Sequence, residues 1–149
     1  MVVSSPAFGN NEAIPDRFTC MEKNVSPPMV ISWVPKEAKS LVFIIDDPDA
    51  PFGVFTHWLL WNIPPETKYI EEGKMPEGAV SGYNGFGRSG YSGPCPVSGL
   101  HRYFFTVTAL DSIVGLNGQA KRSELEDAMR GHTISEAHFY GRYNAKLIE

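Results

Sequence analysis

The chain has only two cysteines, no hydrophobic run long enough to cross a bilayer, and no excess of positive charge. Each shortage excludes something. Cys20 and Cys95 lie too far apart for a local zinc motif and are too few for a disulfide framework. They read as structural or incidental thiols, and the sequence leaves open whether they are bridged. Every apolar stretch falls short of the roughly 20 residues that a membrane-crossing helix needs. The start, Met1-Val2-Val3-Ser4-Ser5-Pro6, lacks the charged segment and apolar core of a secretory signal. The expectation is a cytoplasmic protein with no transmembrane segment. Its formal net charge is −4, and the Lys and Arg residues are scattered. Nucleic acid is excluded as a partner on that ground, because neutralising phosphates takes a concentrated basic face.

What the chain does have is punctuation. Twelve prolines and fourteen glycines separate short β-like runs within 149 residues. With no repeat, low-complexity tract or dividing linker, residues 1–149 read as a single, mostly β domain. The clearest strands are Met29–Trp33, Leu41–Asp46, His57–Ile63 and Arg102–Leu110, with Ala137–Tyr143 weaker and Ala79–Tyr83 a short candidate. In the Arg102–Leu110 strand, period two puts Tyr103, Phe105, Val107 and Ala109 on one face and Arg102, Thr106 and Thr108 on the other. One helix is expected after a capping box at Ser123 and Glu126, with Leu125, Ala128 and Met129 on its apolar side and Gly131 ending it.

Two segments carry candidate chemistry. Asp46-Asp47-Pro48-Asp49-Ala50-Pro51 leads through His57-Trp58 into an apolar run, and Gly93-Pro94-Cys95-Pro96 leads through Gly99-Leu100-His101-Arg102-Tyr103 into another. Period two puts His101 on the side of Tyr103, and His57 on the side of Leu59 and Trp61. Asp47, extended because it precedes Pro48, closes the strand before it. Three strand ends could then meet in a small polar pocket. Each residue also has a plainer use. Asp47 and Asp49 can form an Asx turn, a lone His beside aromatics can be a hydrogen-bonded core residue, and Arg102 can simply pair with an acid. His132 and His138 have no companion motif.

Taken together, the two segments resemble the signatures of the phosphatidylethanolamine-binding protein family, which includes the Raf kinase inhibitor proteins. Ala109-Leu110-Asp111 and Gly131-His132 fit its short bacterial and archaeal branch. The chain departs from the usual pattern at Phe55, Gly85, Val97 and Thr108, leaving both histidines in place. The resemblance implies an antiparallel β-sandwich with one or two short helices, and a pocket at one end holding phosphate, acetate or phospho-head groups. The expected ligand-binding residues are Asp47, His57, Gly93, Pro94, His101 and Tyr103.

The implied function is a non-enzymatic binder that inhibits partners such as serine proteases or kinases. Phe86, Arg88 and Tyr91, in the Pro- and Gly-rich Tyr83–Gly99 loop, are the expected partner surface. A homodimer is a further expectation, because the chain stops at Glu149 soon after its last strand-like segment. The alternative is a small hydrolase using Asp47, His57 and His101 as an acid–base set with Ser89 or Ser92 as nucleophile. Neither serine completes a Gly-x-Ser-x-Gly elbow. No ligand spacing supports a metal at Asp47, His57 and His101, and no cofactor is expected.

Overall fold

The computed structural model describes residues 1–146, so Glu149, on which the homodimer expectation drew, lies outside the described residues. In chain order the strands are β1 (Val2–Ser4), β2 (Glu12–Ala13), β3 (Met29–Ser32), β4 (Ser40–Asp47), β5 (Phe55–Ile63), β6 (Tyr69–Ile70), β7 (Val80–Ser81), β8 (Leu100–Leu110) and β9 (Thr133–Asn144). A 3-10 turn spans Asp16–Phe18, and helix α1 (Arg122–Met129) precedes β9. They form a three-stranded sheet, β1-β3-β6, and a six-stranded sheet, β2-β9-β8-β4-β5-β7. Pairing is antiparallel throughout except where β2 runs parallel to β9.

Burial on both faces explains why β4 and β5 read as continuous apolar runs. From β4, Leu41, Phe43 and Ile45 join Met29, Ile31 and Ile70 of the small sheet in the main core. Val42 and Ile44 face the other way, against Leu110, Val114, Ala120 and Leu125 of the covering loop and helix. Tyr103, Phe105, Val107 and Ala109 of β8 are all buried on the main-core face, as the period-two reading requires. Each such side chain contributes roughly 1.5–3 kcal/mol through removal from water.

Three sequence expectations are corrected. Strand β9 is the longest in the protein rather than a weak one, and it pairs with β8 along its length. Its apolar alternation is confined to the second half, where Phe139, Gly141 and Tyr143 are buried, so the pattern understated it. The helix is capped two residues earlier than expected: Glu124 accepts a hydrogen bond from the Lys121 backbone N–H at 3.1 Å. Glu126 is instead held by Arg122 at 2.8 Å, and Arg122 also reaches Asp46 and Thr56 across the sheet. Gly131, at φ +83°, turns the chain after the helix. Cys20 and Cys95 are not free thiols: they form a disulfide with a Cα separation of 5.5 Å, joining two loops that alternating patterns cannot align. Among the described residues no helix is long and apolar enough to cross a membrane.

Candidate functional site

The ends of β4, β5 and β8 meet at one edge of the sandwich. Asp47 closes β4 opposite Phe55, and His101 opens β8 opposite Tyr143. His57 reaches the same spot through an irregularity. Ile45 pairs with Trp58, but Asp46 pairs with Thr56, so His57 is an extra residue in β5. Such a bulge displaces the side-chain alternation locally. His57 therefore lies on the main-core side beside Tyr103, with ring centroids 5.3 Å apart, while Leu59 and Trp61 face the helix layer. The expectation that His57 shares a side with Leu59 and Trp61 is thus overturned by the bulge.

The two histidines have different partners. His101 Nδ1 lies 2.5 Å from Asp47 Oδ2, and its Nε2 lies 3.1 Å from the Ser98 carbonyl. Both ring nitrogens of His101 thus face oxygen acceptors of the protein. His57 Nδ1 donates to the Ser92 carbonyl at 2.6 Å, and among the described residues Nε2 has no partner. No fully buried side-chain nitrogen or oxygen lacks a partner among the described residues, so that Nε2 is open to solvent in the cavity. Burial pushes the His57 pKa below its ordinary 6.5, outweighing the Ser92 carbonyl and the nearby Asp47 and Asp46 charges. The ring is accordingly neutral near pH 7, with a lone pair on Nε2. Burial, together with Asp47, also raises the Tyr103 pKa, keeping its hydroxyl protonated.

A cavity of about 210 Å³ opens over these groups. Asp47, His57, His101 and Tyr103 line it, as does Phe86, whose ring meets Phe55 edge-on at 4.7 Å. Gly93 and Pro94 are not in the lining. They are buried behind it, where the Gly93 N–H donates to Asn24 Oδ1 at 2.9 Å and the Pro94 carbonyl accepts from Cys20. A Cβ on Gly93 would sit 2.2 Å from the Phe18 carbonyl oxygen, so this loop needs glycine in order to pack. Tyr91 turns inward against Trp58 and donates its hydroxyl to the Phe18 carbonyl at 2.6 Å, whereas Arg88 is exposed.

Sequence reasoning gave no lining role to Ala50, Pro51, Phe55 or residues 95–98, which also border the cavity. Two of them, Phe55 and Val97, are positions where the chain departs from the usual family pattern, a signal that could have marked them. Ser98 acts through its backbone carbonyl, which side-chain identity does not reveal. The Asx turn at Asp47-Pro48-Asp49 is present, with the Asp49 N–H donating to Asp47 Oδ1 at 2.8 Å, while Asp47 Oδ2 faces His101 Nδ1. Asp49 also takes a two-pronged contact from Arg102 at 2.9 Å, which lowers its pKa. Ser89 and Ser92 lie outside the lining, and the Ser92 hydroxyl accepts from Asn84 at 3.0 Å. His132 pairs with Asp111, and His138 lies against Phe104 on the outer sheet face. Among the described residues no three His, Cys, Asp or Glu side chains are grouped to hold a metal ion.

Comparison with known proteins covers nearly the whole chain. A family model described as "Phosphatidylethanolamine-binding protein" matches residues 4–144. A UPF0098 protein of Methanothermobacter thermautotrophicus is 47% identical, across 96% of this chain and 98% of that one. A UPF0098 protein of Pyrococcus horikoshii is 48% identical over 95% of this chain and 76% of its own. The crystal structure of a phosphatidylethanolamine-binding protein homologue from Chlamydia trachomatis superposes with a TM-score of 0.93 at 37% identity, covering 97% of each chain. The E. coli protein YbcL, described as a new member of the mammalian family, gives 0.91 at 29% identity, over 97% of this chain and 98% of its own.

Proposed function

Because this chain belongs to the phosphatidylethanolamine-binding protein family, we propose that it is a non-enzymatic binding and regulatory protein that holds a small oxyanion or phospho-head group over Asp47, His57 and His101. The observation that carries this reading is the open His57 Nε2 beside the hydrogen-bonded Asp47–His101 pair in one small cavity. Among the described residues the backbone N–H groups of Val97 and Ser98, both in the lining, have no acceptor. At about 210 Å³ the cavity suits a head group rather than acyl chains. The hydrolase alternative is not favoured, since the two serines it relies on lie outside the lining.

The regulatory half of the proposal, inhibition of a serine protease or kinase, rests on the surface around the cavity mouth. Val97 and Phe86, both in the lining, are exposed, and Phe52 and Val54, exposed too, belong to the turn between the lining residues Pro51 and Phe55. Exposed apolar groups gathered in this way mark contact surfaces more often than chance. A cytoplasmic setting is part of the proposal, and the bridge bears on it: cytosolic disulfides are rare outside hyperthermophiles.

Calorimetric titration with phosphate and phosphoethanolamine tests the binding half. Wild-type protein should give a saturable heat, and His57→Ala and His101→Ala should each abolish it while circular dichroism stays native. Unchanged titration curves in both variants would remove the ligand from this cavity.

A further inference from the structure

We propose that the cavity selects oxyanions that still carry a proton, the ligand's own P–OH donating to His57 Nε2. This rests on the anion-binding reading above and gives it a substrate class: hydrogen phosphate and phosphomonoesters, in preference to phosphodiesters and sulfate esters.

The argument is one of hydrogen-bond polarity. The Ser92 carbonyl, 2.6 Å away, fixes the His57 proton on Nδ1, so the neutral ring offers the cavity an acceptor only. The rings of Phe55, Phe86 and Tyr103, at centroid distances of 5.0, 6.1 and 5.3 Å, keep most water from the imidazole, so a charge placed on it would be poorly solvated. The two nearby carboxylates among the described residues favour the charged ring only weakly, because each already has a partner. Asp47 on β4 is committed to His101 on β8, and Asp46 is committed to Arg122 on α1. Tyr103 completes the titratable groups around the ring, and it stays neutral. The direction of the His57 shift agrees with this geometry.

An oxyanion without a proton would set its lone pair against that of Nε2, or would have to bring a proton onto the buried ring. A hydrogen phosphate brings its own donor to that lone pair. Sites built around one hydrogen bond reject analogues that cannot make it, because the site's polar group is then left unpaired. The second phosphate ionisation falls near pH 6, so the proton-bearing monoester is well populated at that pH.

Three matched monoanions test the proposal at pH 6: methyl phosphate, dimethyl phosphate and methyl sulfate. They differ in whether an oxygen carries a proton, and none has an ammonium group that could donate in its place. Methyl phosphate should bind at least roughly tenfold more tightly than either of the others. His57→Gln, whose amide can turn a donor into the cavity, should bring all three within a few-fold of one another. Comparable binding of all three by the wild-type protein would overturn the selectivity and leave the anion site standing. A preference that persists unchanged in His57→Gln would overturn the role given to His57. Binding of none would overturn the anion reading itself, and this proposal with it.

Discussion

At the scale of single residues, the site consists of two imidazoles made unlike by their neighbours. His101 sits between a carboxylate and a carbonyl, while His57 faces one carbonyl and three aromatic rings. The buried neutral His57 has a consequence for stability. Its pKa is lowered in the folded protein from the unfolded value of 6.5, so below that value the unfolded chain binds more protons at this group than the folded one does. Stability from His57 is therefore full above about pH 6.5 and is lost as pH falls toward the folded pKa. Urea midpoints should drop between pH 7.5 and 5.5, and should drop less in His57→Gln, which has nothing to protonate there. An equal acid loss in both proteins would contradict a neutral buried His57.

Among the elements, α1 and the β5 bulge matter most. The helix fastens to the outer face of the large sheet through Leu125, which is fully buried against Val42, Ile44 and Trp61. Leu125→Ala should cost roughly 2–5 kcal/mol in urea unfolding, from lost transfer energy plus the cavity left behind. A loss below about 1 kcal/mol would mean that the helix layer collapses onto the gap.

The elements also show how far the sequence could be read. The buried strands β4, β5 and β8 were legible because their apolar residues recur with the period of the pleat or fill both faces. The first half of β9 carries little such signal, since Thr133, Ile134, Glu136 and His138 are exposed. That Asp47, His57, His101 and Tyr103 meet in one cavity was legible from two motifs taken in order. The bulge that turns His57 round was not, because one extra residue in a ladder shows only when the partner strand is in view. Loop contacts were hidden for the same reason. Tyr91 looked like a surface anchor from its Gly- and Pro-rich setting, and only the fold brings the Phe18 carbonyl to its hydroxyl.

At the scale of the whole molecule, the Cys20–Cys95 bridge closes a separation of 75 residues and fastens the chain after Asp16–Phe18 to the loop that lines the cavity. By restricting the unfolded chain, a closure of that length contributes about 4 kcal/mol. The Cys20→Ser/Cys95→Ser double variant should lose about that much in urea unfolding, and a variant as stable as the wild type would show that the bridge adds nothing. The same loops are tied by the Cys20 N–H to Pro94 carbonyl, Gly93 N–H to Asn24 and Tyr91 hydroxyl to Phe18 carbonyl bonds, so the variant should still fold. The central claim is that the meeting point of β4, β5 and β8 is an oxyanion site, and an amide-resolved NMR titration with methyl phosphate at pH 6 tests it most directly. The account predicts saturating shifts confined to the cavity, led by Asp47, His57, Val97, Ser98 and His101. Shifts that fail to saturate, or that gather elsewhere on the sandwich, would contradict it.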